Sequence, residues 1–337
     1  MTARVPAKIL LRSPNWVGDA IMATPVPLAL KQTWPDSRIH VLAKSWAAPV
    51  WENHPAVEKI ISLGKSGLWD LRQEKYDLGL VLPNSFSSAW LAFWANCRER
   101  VGYVAEGRSW LLTTRLPWTH SESTRARPLV YLHIAQAAGA AVPLQAWPFM
   151  VRVTVAESKR AQELLGGEDN RPWVGLAPGS VALSRRWPRE RYAQLADRLA
   201  QRGRRIVLVG SQADAETALG VARLMKSPPL VLAGKTNLRE ALAVIGKLAL
   251  LVSNDSGSMH AAYAQDVPVL VLQGAADPVV TGPFGDKSQV LRAEGLDCAP
   301  CVRNDCPRGL ACMLAISVEQ AQAAAEDLLA RFGPRKI

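Results

Sequence analysis

"LALLVSNDSGSMHAAYAQDVPVLVLQG", residues 248 to 274, decides the fold class. Its two apolar runs, LALLVSN (248 to 254) and VPVLVLQG (267 to 274), lack a polar alternation, so each reads as a strand covered on both faces. A polar turn and a helical spacer separate them. That order, strand, helix, strand, is the sequence form of a parallel pair.

The rhythm continues in both directions. WVGLA (173 to 177), RIVLVG (205 to 210) and LVLAG (230 to 234) precede it, and KILL (8 to 11), IHVLA (39 to 43), KIISL (59 to 63) and LGLVL (78 to 82) repeat it in the first half. Helical spacers are clearest at Arg189 to Arg202, where Tyr192, Leu195, Ala196 and Leu199 recur at helical spacing, and at Leu238 to Gly246. The closing segment has Ser317 ahead of Glu319 and Gln320, and Arg331 ahead of Gly333 and Pro334, which are helix start and stop signals. The fold class is α/β. The polar, proline-bearing stretch before Trp173 predicts a boundary near 155 to 172, with a first domain over 1–160, a second over 170–316 and a terminal helix over 317–337.

A chain of 337 residues suits two domains, and 49% hydrophobic with 20% charged residues excludes a disordered chain. No apolar window of about 18 residues is present to span a bilayer, and MTARVPAKILLRSPNW lacks the apolar core of a signal peptide, so a cytoplasmic location is expected. Lys and Arg exceed Asp and Glu by 40 to 29, and the resulting +11 favours an anionic partner: nucleotide, phosphorylated lipid, acidic membrane face or nucleic acid. The many tryptophans of the first half, Trp46, Trp51, Trp69, Trp90, Trp94, Trp110, Trp118 and Trp147 among them, read mainly as core and helix packing. A membrane interface or sugar stacking is the other use of indole.

Three strand-end turns carry the candidate chemistry. In SPNWVGDAIMATP (13 to 25), Gly18 permits a tight turn and Asp19 stands at a strand's carboxyl end, as a helix N-cap or as a functional acid. In WVGLAPGSVALSRRWP, Gly179 and Ser180 form a small loop, and Ser184, Arg185 and Arg186 follow; backbone N–H groups with guanidiniums suit a diphosphate or a solvated basic patch. In NDSGSMH, Asp255 suits a cap, the N–H groups of Ser256, Gly257 and Ser258 suit phosphate oxygens, and His260 is a donor or a packed core residue. Ligands of such sheets bind beyond the carboxyl ends of the strands, so two such domains imply a cleft.

Other motifs fail. GKSG at 64 to 67 lacks the upstream glycine of a phosphate loop, no G-x-S-x-G or H-E-x-x-H occurs, and no D-x-D pair implies a divalent metal. Cys298, Cys301, Cys306 and Cys312 form a cluster that is not spaced as a zinc ribbon. A structural knuckle, with or without metal, a redox pair and simple packing stay open.

Asn15, Trp16, Gly18 and Asp19, the APGS of 177 to 180 with RRWP at 185 to 188, and NDSGSMH at 254 to 260 resemble the ADP-heptose:lipopolysaccharide heptosyltransferase family, in the N-W-x-G-D form of its type II members. The resemblance implies an inverting transferase of the GT-B type: two Rossmann-like domains facing across a cleft, acceptor on the first and ADP-heptose on the second, with the terminal helix packing back on the first. It implies Asp19 as general base, no required cofactor, and donor contacts from Gly179, Ser180, Arg186, Asp255, Ser256, Gly257, Ser258 and His260. Asp214 or Glu216 would hold the ribose. Arg186 replaces the usual lysine of the family.

On the acceptor side the resemblance places Asn15, Trp16 and Gly18. Arg98, Arg100, Arg108, Arg115, Arg125 and Arg127 would meet a lipopolysaccharide inner core at the cytoplasmic face of the inner membrane. A relative with another acceptor and a zinc-stabilised nucleic-acid binder are the alternatives. Against the second, the arginines are dispersed and no nucleic-acid fold is recognised, so no nucleic-acid partner is expected.

Overall fold

The computed structural model describes residues 5–64, 68–142, 149–167, 171–301 and 303–333, and the chain divides into two compact units, Met1–Arg152 and Val153–Ile337. Residues 65–67 of the GKSG segment, and Trp147, lie outside the described residues.

In the first unit, β1 (Lys8–Arg12), β2 (Arg38–Lys44), β3 (Lys59–Leu63), β4 (Leu78–Val81), β5 (Glu99–Val104) and β6 (Thr114–Pro117) form one parallel sheet in the order β3-β2-β1-β4-β5-β6. Leu11 stands opposite Val41 on one side and Leu80 on the other, and all three are buried. In the second unit, β7 (Trp173–Ala177), β8 (Arg205–Leu208), β9 (Leu230–Val231), β10 (Leu250–Asn254), β11 (Val269–Leu272) and β12 (Ser288–Leu291) pair as β12-β11-β10-β7-β8-β9. This is the same doubly wound order. In each unit the strand sequence reverses beside the first strand, between β1 and β4 and between β7 and β10, and such sheets bind ligands at that point, beyond the carboxyl ends.

The apolar runs all become strands. β5, β6 and β12 escape that reading because they are less covered: β6 and β12 are edge strands with half-exposed residues, and ERVGYV opens on two charges.

Two boundary expectations change. The unit break falls at Arg152, ahead of the helix Val155–Leu164, whose capping box (Thr154 with Glu157) starts it cleanly and whose Glu157 pairs at 2.7 Å with Arg239 of the helix Leu238–Ile245. The polar residues from 166 onward follow that helix and do not divide the units. The terminal helix Val318–Phe332 forms with the Ser317–Gln320 capping box, but its stripe Val318, Ala321, Ala325, Leu328 is buried in one core with Leu176, Leu250 and Leu270. It therefore contributes to the core of the second unit.

The tryptophans also depart from expectation. Trp51 is buried, but Trp16, Trp46, Trp69, Trp90 and Trp110 are all exposed.

Buried histidines set an acid limit on both units. His54 donates from Nε2 to the Thr24 carbonyl and accepts the Ala56 N–H on Nδ1, and burial lowers its pKa from 6.5 to about 4. Burial lowers His260 to about 3. Below pH 6.5 the unfolded chain takes up protons that these folded histidines refuse, so stability falls from there towards about 3. Glu74, held by Lys59 and Lys8, and Glu157, held by Arg239, are lowered from 4.5 to about 2, so their stabilisation is present above 4.5 and lost as pH falls to about 2. Denaturant midpoints should decline steadily on acidification from 6.5; a profile flat down to 4.5 would exclude the histidine contribution.

Candidate active site

In the first unit β1 ends at Arg12 and the helix Val17–Met22 begins after a turn of four residues. Trp16, not Asp19, occupies the N-cap: Asp19 is the third residue of the helix. Its Oδ1 accepts a 2.8 Å hydrogen bond from Tyr131, a buried residue of the helix Arg127–Ala137. Burial, and then the Asp19 carboxylate, push the Tyr131 phenol well above its ordinary range, so it stays a donor. The half-buried carboxylate is thus held at the reversal point of the sheet.

The turn before it is fixed by groups that sequence reading passed over. Arg12 is 2% exposed and donates to the Ser13 carbonyl and, at 2.5 Å, to Asn15 Oδ1; burial lowers its pKa to about 10. Trp46 Nε1 donates to the Asn15 carbonyl at 2.8 Å and Trp51 Nε1 to Ser13 Oγ at 3.0 Å. Asn15 is therefore a turn-fixing residue, and Trp16, 63% exposed, projects from the turn.

The arginines of this unit separate. Arg127 lies one turn before Tyr131, with its guanidinium 5.8 Å from the Trp118 ring, and Arg125 pairs at 3.6 Å with Glu122. Arg108 is fully buried and donates to the carbonyls of Tyr103, Pro83 and Ser85, so it braces the loop after β4. Arg98 and Arg100 stand at the amino end of β5, opposite to the end carrying Asp19, and Arg100 donates to the Leu111 and Cys97 carbonyls. They do not join the cluster, and neither does Arg115, which donates to Ser109.

In the second unit the loops after β7 and β10 interlock. Asn254, the last residue of β10 and fully buried, accepts on Oδ1 from the Trp187 N–H and the Tyr192 hydroxyl, each at 3.1 Å, and donates from Nδ2 to the Pro178 carbonyl at 2.8 Å. Asp255 does not cap the next helix. Ser256 is the N-cap of Gly257–Ala264, and the buried Asp255 carboxylate pairs with Arg185 at 2.9 Å. Ser180 Oγ donates to the Asp255 carbonyl at 3.4 Å, and Arg186 Nε donates to the Ser180 carbonyl at 2.8 Å. Half-exposed Ser256, Gly257 and Ser258 open the helix, and the N-cap Ser256 makes no side-chain cap bond. Their N–H groups, beside two guanidiniums, make a seat for phosphate oxygens.

Asp214 and Glu216 part company. Asp214 closes a capping box with Ser211 and lies against Gly179, where an added Cβ would come 2.0 Å from Asp214 Oδ1; Glu216 is exposed on the next helix. Asp214 is locked by its bonds to Ser211, so the clash has no easy relief. Gly179→Ala should weaken ADP binding by about tenfold or more by pushing this loop aside, a shift of at least ~1.4 kcal/mol. Calorimetric titration with ADP checks it, and unchanged affinity would remove the loop from the site.

His260 is engaged at one ring nitrogen within its own helix. It is buried, its Nδ1 shares a 2.8 Å hydrogen bond with the Tyr263 hydroxyl, and burial keeps it neutral. Gln273, just past β11, is a further candidate that sequence reading missed: it is 1% exposed and neither amide atom has a partner among the described residues.

Cys298, Cys301, Cys306 and Cys312 are free thiols lining one cavity of about 420 Å³ with Ser184 and Arg303. Burial pushes the Cys312 thiol up, which makes it unreactive. Among the described residues no group of three or more His, Cys, Asp or Glu is arranged to hold a metal ion. Their segment instead braces the loop of Arg185: Ser184 N–H donates to the Asn304 carbonyl at 2.9 Å and its hydroxyl to that of Arg303.

Among the described residues no helix is long and apolar enough to cross a membrane. Residues 32–311 match the family described as glycosyltransferase family 9 (heptosyltransferase). The chain is 34% identical over 313 residues to lipooligosaccharide heptosyltransferase 2 of Haemophilus ducreyi, covering 85% of this chain and 88% of that one. It is 34% identical over 310 residues to lipopolysaccharide heptosyltransferase 2 of Salmonella typhimurium, with the same coverage. The solved structure of E. coli ADP-heptose lipopolysaccharide heptosyltransferase II is similar with a TM-score of 0.83 at 27% identity, over 96% of this chain and 99% of that one.

Proposed function

The chain belongs to glycosyltransferase family 9, the heptosyltransferases, and we propose that it moves L-glycero-D-manno-heptose from ADP-heptose to the first heptose of a lipopolysaccharide inner core, with inversion. The relatives support lipopolysaccharide heptosyl transfer as the coarse activity. One observation carries the finer reading: Asp19, fixed by Tyr131, at the reversal point of a GT-B unit.

Asp19 takes the proton of the acceptor hydroxyl as that oxygen attacks the anomeric carbon of the heptose. The bond to the ADP oxygen breaks in the same displacement, from the opposite face, so one base suffices and no covalent intermediate forms. Negative charge grows on the departing diphosphate. The N–H groups of Ser256, Gly257 and Ser258, together with Arg186 and Ser180, meet it with preorganised donors, and Arg185 holds that wall in place through Asp255. Asp214, beside Gly179, is the acid placed to hold the ribose hydroxyls. Arg125 and Arg127 face the anionic acceptor, which lies on the cytoplasmic side of the inner membrane, and the enzyme works there as a peripheral protein.

Release of ADP from ADP-heptose tests this reading. It should require heptosyl-Kdo2-lipid A and fail with Kdo2-lipid A. Equal release with both would assign the enzyme to another acceptor.

A further inference from the structure

The helix Phe86–Trp94 is built inside out. Its small residues Ser88, Ala89 and Ala92 are buried, while Phe86, Trp90 and Phe93 are 39%, 40% and 41% exposed. Two neighbours extend the surface: Trp69, in the helix Leu68–Gln73, and Trp110, in the single turn Ser109–Leu111, are 66% and 56% exposed. The rings form an unbroken series. Centroids are 5.4 Å apart for Trp69–Trp94, 6.4 Å for Trp94–Trp90, 5.7 Å for Trp90–Phe93, 6.1 Å for Phe93–Trp110 and 6.2 Å for Trp110–Phe86.

A contiguous exposed aromatic face of this size marks an interaction surface. Its fringe selects the partner. The guanidinium of Arg72 lies 5.5 Å from the Trp94 ring and that of Arg100 5.5 Å from the Phe93 ring, with exposed Arg98 close in sequence. Asp70, Glu99 and Glu106 are the acids of the same segments, and Glu106 is engaged by the Phe86 N–H, whereas the guanidiniums of Arg72 and Arg100 lie against the rings themselves. Anionic headgroups complement them, and indole combines an apolar body with one N–H, the combination that settles at a bilayer's headgroup level.

We propose that the face Trp69, Phe86, Trp90, Phe93, Trp94 and Trp110, edged by Arg72, Arg98 and Arg100, seats the enzyme on an anionic lipid bilayer. The proposal rests on the reading that the acceptor is lipid-linked. It also gives Arg98 and Arg100 a role at the end of the sheet where they stand.

The test uses the full chain, vesicles of phosphatidylethanolamine with phosphatidylglycerol, and neutral phosphatidylcholine vesicles. Co-sedimentation should favour the anionic vesicles, with a blue shift of tryptophan emission. The triple variant W90S/F93S/W110S should lose about tenfold or more in vesicle affinity, keep its melting temperature, and keep transfer to a deacylated, water-soluble acceptor. If the triple variant fails to fold, Arg72→Glu, a single exposed charge reversal, should still weaken anionic-vesicle binding severalfold. Vesicle binding equal to wild type in a folded variant would overturn the proposal. So would a wild-type dimer in ultracentrifugation that the triple variant dissolves, with no vesicle binding by either. Failure of the wild type on the water-soluble acceptor would instead overturn the transferase reading and leave vesicle binding to be judged by itself.

Discussion

Asp19→Ala should fold, bind ADP-heptose normally and transfer heptose more slowly by on the order of a thousandfold, the size of a lost general base. Asp19→Asn should do nearly the same, because an amide fills the space and still accepts from Tyr131 but takes no proton. The pair of variants separates chemistry from packing. Asp19 is the half-buried third residue of its helix and not its N-cap, so neither change should lower the melting temperature much. Tyr131→Phe adds the positioning control: without its 2.8 Å bond the carboxylate keeps its charge but loses its fixed orientation, so kcat should fall by about tenfold while the KM for ADP-heptose holds. Transfer by Asp19→Ala near the wild-type rate would remove the residue from the reaction. Single-turnover transfer assays at saturating donor give the values.

Arg186→Ala is the second large effect. It removes a cation and the bond that ties the Ser180 carbonyl to the loop, so kcat/KM for ADP-heptose should drop by on the order of a hundredfold. Arg186→Lys restores the charge but not the two-armed geometry, and should recover most of that loss, since lysine is the usual residue in the sequences this turn resembles. Arg185→Ala should behave differently. Its partner Asp255 is buried, and stripping the guanidinium leaves a carboxylate in the interior, so the melting temperature falls along with donor binding. Equal melting temperatures for the two alanine variants would contradict these separate assignments.

The strands that centre each sheet were readable because burial on both faces forces unbroken apolar runs, and the turns after β1, β7 and β10 could be located from them. What hid was set by partners distant in sequence. Tyr131 lies 112 residues from Asp19, and nothing in its own helix announces the bond. Asn254 was legible as part of a motif, but not as the amide that holds Pro178 and Trp187 together, because those contacts span the two loops. Arg98 and Arg100 misled for a related reason: charge is visible in a sequence, whereas which end of a strand it occupies appears only once the strand is found, and β5 is too polar at its start to be found by hydropathy. The nucleic-acid alternative gives way to family membership.

The terminal helix staying with the second unit has a practical consequence. The chain crosses from one unit to the other once, at Arg152, and the last helix supplies core to the unit that it follows. A hybrid enzyme therefore needs a single splice. Under the proposed function, residues up to Arg152 taken from a relative with a different acceptor, joined to Val153 onward of this chain, should take on that relative's acceptor specificity and keep the proposed donor residues, from Gly179 to Gln273, together.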